Sequence, residues 1–96
     1  MINLIATFQA KTGKETELKR LLLAMLAPSR NEPGSVSYKL FNVQDDSATF
    51  IFQESFTNQA AFEEHCQQPY FTQLLTQLDG LLEHEPEIKF LELLDI

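Results

Sequence analysis

Two side chains in this sequence can handle a proton near neutral pH from an inward-facing position. His65 follows Ala61 and Phe62 at helical spacing, which turns its imidazole toward the apolar side of a helix. There it could serve as a general base on a substrate proton, or be a core histidine held by one hydrogen bond. Glu54 shares a strand face with Phe50, Phe52 and Phe56. A carboxylate among phenylalanines is costly unless it is paired, protonated or beside a wet pocket. It could orient His65 and fix the tautomer that acts as base, or simply tie helix to sheet. Tyr38, Tyr70 and Phe71 could wall an aromatic pocket, with Tyr38 adding a hydroxyl donor. Phe52 and Phe62 belong to the same candidate set. In so small a domain each of these rings could equally be core.

Other combinations carry less. Cys66 follows His65 directly, and neighbouring helix residues diverge by about 100°, so a Cys–His nucleophile pair is not expected. His65, Glu54 and His84 have no metal-ligand spacing, and His84 lies in an acidic segment expected to be exposed. Three glycines and no Gly-rich loop leave no phosphate cradle of that kind. Arg30, at a helix end, is expected to pair with Glu32 or another acid at the surface. The sequence therefore predicts no metal, flavin or haem.

The elements that must position these residues can be read from periodicity. Ile2 to Gln9 puts Ile2, Leu4, Ala6 and Phe8 on one strand face. Thr12 and Glu15 have capping-box spacing, and Leu18, Leu21, Leu22, Met25 and Leu26 follow as a helical stripe. Pro28 should kink or end that helix near Ala27, and Glu32-Pro33-Gly34 is a stop. Val36 to Val43 and Ala48 to Phe56 read as a hairpin around the turn residues Gln44-Asp45-Asp46-Ser47. Thr57 or Asn58 should cap a third helical segment carrying Ala61, Phe62, His65 and Cys66 inward. Pro69 interrupts it, and a further stretch turns Leu74, Leu75, Leu78, Leu81 and Leu82 inward. Ile88, Phe90 and Leu94 lie on one face of a last strand, Leu91 and Leu93 on the other.

Strand, helix, strand, strand, helix pair, strand is the split βαβ, or ferredoxin-like, α+β plan, with a four-stranded antiparallel sheet. One sheet face would meet the helices. The other carries Ile5, Phe41, Val43, Ile51, Leu91 and Leu93, so a second sheet packed against it, in a homodimer, is expected. Length and charge agree with this reading. Ninety-six residues, 44% of them hydrophobic, make a single domain over 1–96 whose own core is small. A net charge of −7 with no basic cluster argues against nucleic acid and anionic membranes as partners. One cysteine excludes an intrachain disulfide, and no leader or membrane-length apolar run is visible, so a cytoplasmic location is the default.

Several stretches carry a family resemblance. They are Lys14-Glu15, the run Ala27 to Gly34, Tyr38, Phe52 to Phe56, Ala61 to His65, and Pro69-Tyr70-Phe71. Together they resemble the antibiotic biosynthesis monooxygenase domain family, including small bacterial quinol monooxygenase-like proteins. The resemblance spans about Ile2 to Leu94, and Glu54 to Phe71 is its most specific part. It implies a dimeric α+β barrel with a pocket between sheet and helices in each subunit. It also implies cofactor-independent oxidation of a small aromatic or quinol-type substrate by molecular oxygen, with His65 and Glu54 as catalytic residues. Two alternatives stay open: isomerisation of a phosphorylated autoinducer-type sugar, and a non-catalytic dimer that binds a small molecule. Related haem-degrading enzymes use an asparagine, a tryptophan and a histidine at positions that fall near Ala6, His65 and Leu75. This chain has no tryptophan, so haem degradation does not fit.

Overall fold

The computed structural model describes residues 1–95. Its elements run β1 (Ile2–Gln9), α1 (Glu15–Leu23), α2 (Leu26–Arg30), β2 (Ser35–Asn42), β3 (Thr49–Phe56), α3 (Gln59–Cys66), α4 (Pro69–Gln77) and β4 (Glu87–Leu91). The strands form one antiparallel sheet in the order β2-β3-β1-β4. This is the ferredoxin-like α+β arrangement expected from the alternation of elements. Among the described residues no helix is long and apolar enough to cross a membrane.

Alternation decides the faces. Leu4, Ala6, Phe8, Tyr38, Phe50, Phe52 and Phe56 are buried under the helices, against Leu18, Leu21, Leu22 and Met25 from the first helical segment and Leu74, Leu78 and Leu81 from the last. Glu54 lies on this same side. Its cross-strand partners are Tyr38 on β2 and Leu4 on β1, and Leu4 in turn pairs with Phe90 on β4. The carboxylate is thus the one acidic member of an apolar row. The opposite face is mixed. Phe41 and Leu91 are exposed there. A polar thread runs across three strands beside them: Ser37 Oγ donates to Gln53 Oε1 at 2.8 Å, Gln53 Nε2 to Ser55 Oγ at 3.1 Å, and Ser55 Oγ to Asn3 Oδ1 at 2.7 Å.

Local chemistry moves several boundaries from where periodicity put them. The first helix breaks at Ala24–Met25, upstream of Ala27, because the N–H that Pro28 lacks is the one that would bond the carbonyl of Ala24. Thr12 does not cap. Gly13 turns the chain at φ 88°, and α1 starts after Lys14 with no side-chain cap. Asn58, by contrast, caps α3 through its Oδ1, which accepts from Ala61 N at 2.9 Å. Pro69 occupies the first position of α4, where its missing N–H costs nothing. That helix ends at Gln77, short of the full leucine stripe. A turn through Gly80, at φ 80°, brings Leu81 back onto the core, where its carbonyl accepts from Lys11 N at 2.8 Å, while Leu75 is exposed. β4 stops at Leu91 because its partner there is Asn3, near the start of β1. Leu93 and Leu94 lie beyond the strand.

Gly34 fixes the approach of α3 to the start of β2. A Cβ at this position would overlap Ala61 Cβ, while the Gly34 carbonyl accepts from Thr57 N at 2.9 Å. Gly34→Ala should therefore push α3 off the sheet and destabilise the fold by roughly 1–3 kcal/mol, the usual range for overpacking. Urea denaturation checks this: a lower midpoint with an unchanged slope is expected, and an unchanged midpoint would show that α3 yields freely.

Candidate functional site

The helix stripe of α3 carries His65 down onto β3, where the ring is 1% exposed. Three aromatic rings enclose it: Phe56 with centroids 5.1 Å apart, Phe71 at 5.2 Å and Tyr38 at 5.3 Å. Each comes from a different element, so the imidazole sits where β2, β3, α3 and α4 meet. Phe56 was not among the residues singled out from the sequence. Phe52 stands one layer back, against Tyr38 at 5.0 Å. Phe62 packs on Phe56 and Phe90, at 5.7 and 5.5 Å, on the outer side of this layer.

The group that orients His65 is Glu32. Its Oε2 lies 2.8 Å from His65 Nδ1, and the Tyr70 hydroxyl donates to the same oxygen. Glu32 occupies the turn between α2 and β2, closed by Glu32 N to Ser29 O at 3.2 Å and Ser35 N to Glu32 O at 3.0 Å. Pro33 and Gly34 then redirect the chain into β2. This corrects the expectation that Glu54 would hold the imidazole. Glu54 Oε1 is 3.8 Å from His65 Nε2, on the other side of the ring and too far for a hydrogen bond. Arg30 is not Glu32's partner either, because its Nε donates to the Tyr38 carbonyl at 2.9 Å.

These contacts assign the ring. A carboxylate only accepts, so Nδ1 carries the hydrogen that faces Glu32, and the lone pair of the neutral imidazole is on Nε2. That Nε2 is buried and has no hydrogen-bond partner. The Ser29 hydroxyl is likewise buried and unpartnered, near the hydroxyls of Tyr38 and Tyr70. Among the described residues these are the two buried side-chain polar atoms left without a partner, and both belong to this compartment. Native interiors satisfy nearly all such atoms, and exceptions concentrate where a ligand or water completes the bonding.

The compartment also sets protonation. Burial, reinforced by the nearby charge of Glu32, pushes the Glu54 carboxyl up to about 7. The phenols of Tyr38 and Tyr70 are driven well above the ordinary tyrosine range, chiefly by burial, so both remain hydroxyl donors. Burial also raises the Cys66 thiol, which makes it a poor nucleophile. A cavity of about 200 Å³ between α1 and α4 reaches Tyr70, and Arg20 and Gln73 are on its wall. Among the described residues no three metal-ligating side chains converge. His84 is exposed and bonds Gln9 Oε1 and the Glu85 carbonyl, each at 3.0 Å, away from the compartment.

Comparison with known proteins shows the family and the fold. A family model described as antibiotic biosynthesis monooxygenase matches residues 1–77. The chain is 30% identical to Rv0793 of Mycobacterium tuberculosis over 94 residues, covering 98% of this chain and 92% of that one. The solved structure of Rv0793 superposes with a TM-score of 0.92, covering 99% and 96% of the two chains. The crystal structure of PA3566 from Pseudomonas aeruginosa is 34% identical and superposes with a TM-score of 0.93 over 98% of this chain and 94% of that one. Identity is 35% over 81 residues with the uncharacterized protein sll1783 of Synechocystis. That match takes in 84% of this chain but only 55% of the longer relative.

The raised Glu54 carboxyl makes stability depend on pH with a definite sign. The folded state holds this proton more tightly than the unfolded chain does, so the contribution is fully present below about 4.5 and is lost as pH rises through about 7. Glu54→Gln removes the titration while keeping the shape. Relative to wild type it should be more stable at pH 8 than at pH 5, by roughly 2–3 kcal/mol between those two pH values. Parallel denaturation curves at the two pH values measure this, and an equal difference at both would mean that Glu54 is ionised throughout.

Proposed function

The chain belongs to the antibiotic biosynthesis monooxygenase family, which supports a monooxygenase-like role, and on that premise we propose that it oxidises a small phenolic or quinol-type molecule with dioxygen and without a cofactor. The observation that carries the proposal is the unpartnered, buried Nε2 of His65, opposite an Nδ1 fixed by Glu32. This is the arrangement a general base requires: an uncommitted lone pair out of water, with the conjugate charge stabilised from behind.

The chemistry follows from the electronic structure of dioxygen. A triplet molecule reacts slowly with closed-shell organics, but an electron-rich phenolate can give it one electron. His65 Nε2 takes the phenolic proton, and Glu32 stabilises the imidazolium that results. The substrate radical and superoxide then combine to a peroxide at a ring carbon. Loss of water from that peroxide leaves a carbonyl: one oxygen atom stays on the product, and the other leaves in water with two hydrogens from the substrate. The two electrons that reduce the second oxygen atom come from the substrate, so no external reductant enters. Glu54, protonated in part at neutral pH, is placed to give a proton to the departing oxygen. Tyr38, Phe56 and Phe71 supply the flat apolar walls. Because the ring of His65 is closed off, the aromatic layer around it has to open for substrate to reach Nε2.

Association belongs to the same proposal. Phe41 and Leu91 are exposed on the outer sheet face, beside half-buried Ile5 and Ile51. We take this face to be where a second copy packs, sheet against sheet. Light scattering at micromolar concentration should then give about 22 kDa, twice the 11.0 kDa chain. A folded species at the monomer mass would contradict it.

Oxygen uptake with a menadiol-like quinol, measured above the autoxidation blank, tests the reaction itself. His65→Ala should slow turnover by about 10²–10⁴-fold while leaving the far-ultraviolet spectrum unchanged. Glu32→Gln should lower kcat more than Glu54→Gln does, because it removes the charge that supports the imidazolium. Equal rates in wild type and a folded His65→Ala protein would remove His65 from the chemistry.

A further inference from the structure

We propose that the cavity between the end of α2 and the edge strand β2 is a second binding site, one that takes a small oxyanion, a carboxylate or a phosphate. It encloses about 330 Å³ and is lined by Arg30, Ser35, Val36, Ser37, Tyr38 and Lys39. That volume is at the low end of small-molecule sites and suits an organic acid or a phosphate ester. The site is separate from the His65 compartment and does not depend on the oxygen chemistry above. Tyr38 is the wall the two share. It lines the cavity, and its ring packs against the imidazole.

The charge pattern selects the ligand. Fourteen acidic residues face seven Lys and Arg in this chain, so an exposed cation has many carboxylates to choose from. Among the described residues, the ion pairs are His65 with Glu32, His65 with Glu54, and Lys89 with Glu87. Arg30 and Lys39, the two cations of the cavity wall, take part in none of them. Arg30 is also held in position. Its Nε donates to the Tyr38 carbonyl at 2.9 Å, which anchors the guanidinium and leaves its two terminal nitrogens for a ligand. That fork matches two oxygens of a carboxylate or phosphate, and the ammonium of Lys39 adds a second charge without demanding a direction. β2 pairs with β3 on one side only, so its outer edge offers backbone N–H groups that no strand occupies. The Ser37 hydroxyl is already given to Gln53 Oε1, so the selectivity for charge rests on Arg30 and Lys39.

The test reads binding in the resting protein, in its native assembly. Amide ¹H–¹⁵N spectra are followed while inorganic phosphate or, separately, benzoate replaces chloride at constant ionic strength. Saturable shifts confined to Arg30 and residues 35–39 are expected, with Kd weakened about fivefold or more in Lys39→Gln. Arg30→Gln should weaken it further. Because that change also removes the bond to Tyr38, the Lys39 variant is the one that decides, read together with the oligomer mass because Lys39 is on the outer sheet face where the second copy is proposed to pack. Tighter binding of benzoate, with added shifts at His65 and Phe71, would identify the ligand as an aromatic acid reaching toward the base. Tighter binding of phosphate without those shifts would identify a phosphate group. Linear shifts spread over the surface, or an unchanged Kd in Lys39→Gln, would overturn the proposal. So would a Lys39→Gln protein that responds to phosphate as wild type does but associates more weakly, since Lys39 would then belong to a partner's carboxylate.

Discussion

The hydrogen bond between His65 Nδ1 and Glu32 joins the last turn of α3 to the turn before an edge strand, across 33 residues of sequence, with the imidazole end fully buried. Breaking such a buried pair leaves an unmatched polar group, at a cost of several kcal/mol. Much of the local architecture serves to keep it made. Asn58 caps α3 and sets its start, Gly34 lets that helix lie close to β2, and the Pro28 break turns α2 so that Glu32 faces inward. Tyr70 braces the carboxylate from α4. The same bond decides which nitrogen of the ring is left with a lone pair.

A second carboxylate in the same dry space creates a conflict that protonation resolves. Glu32 gains two hydrogen bonds from Tyr70 and His65. Glu54 gains none that meets normal geometry, and it lies in a cross-strand row with Tyr38 and Leu4. Two ionised acids with one imidazole between them would leave excess negative charge in a low dielectric, so the less well-bonded acid holds its proton more tightly. One acid accepts the hydrogen of the ring, and the other holds a proton up to about pH 7. Environment alone separates their roles, since both are glutamates.

Much of the fold was legible because it depends on periodicity. The alternation in β1 and β3, the Leu18–Met25 stripe and the turn residues of the hairpin each act locally, and together they leave few arrangements of strands. His65 and Glu54 were legible for a related reason: a polar residue at an apolar position breaks the period and so is noticed. Glu32 gives no such signal. It lies in an Asn-Glu-Pro-Gly turn where an acid is ordinary, and its inward direction follows from the break at Ala24–Met25 and from the approach of α3, both long-range consequences. Ser29 is hidden in the same way, and Phe56 reads as one more strand phenylalanine. The misplaced ends of α1, α4 and β4 share a cause as well. A hydrophobic stripe reports which side chains turn inward, and Leu81 can do so from a turn as well as from a helix.

Glu32 fixes the imidazole with its hydrogen on Nδ1 and its lone pair on Nε2. Long-range ¹H–¹⁵N correlation spectra of the histidine rings, recorded at a pH where His65 is neutral, test this without substrate or turnover. A pyrrole-type Nδ1 and a pyridine-type Nε2 are expected for His65, with loss of that preference in a folded Glu32→Gln protein. A ring protonated on Nε2 in the wild type, or the same spectrum in both proteins, would contradict it.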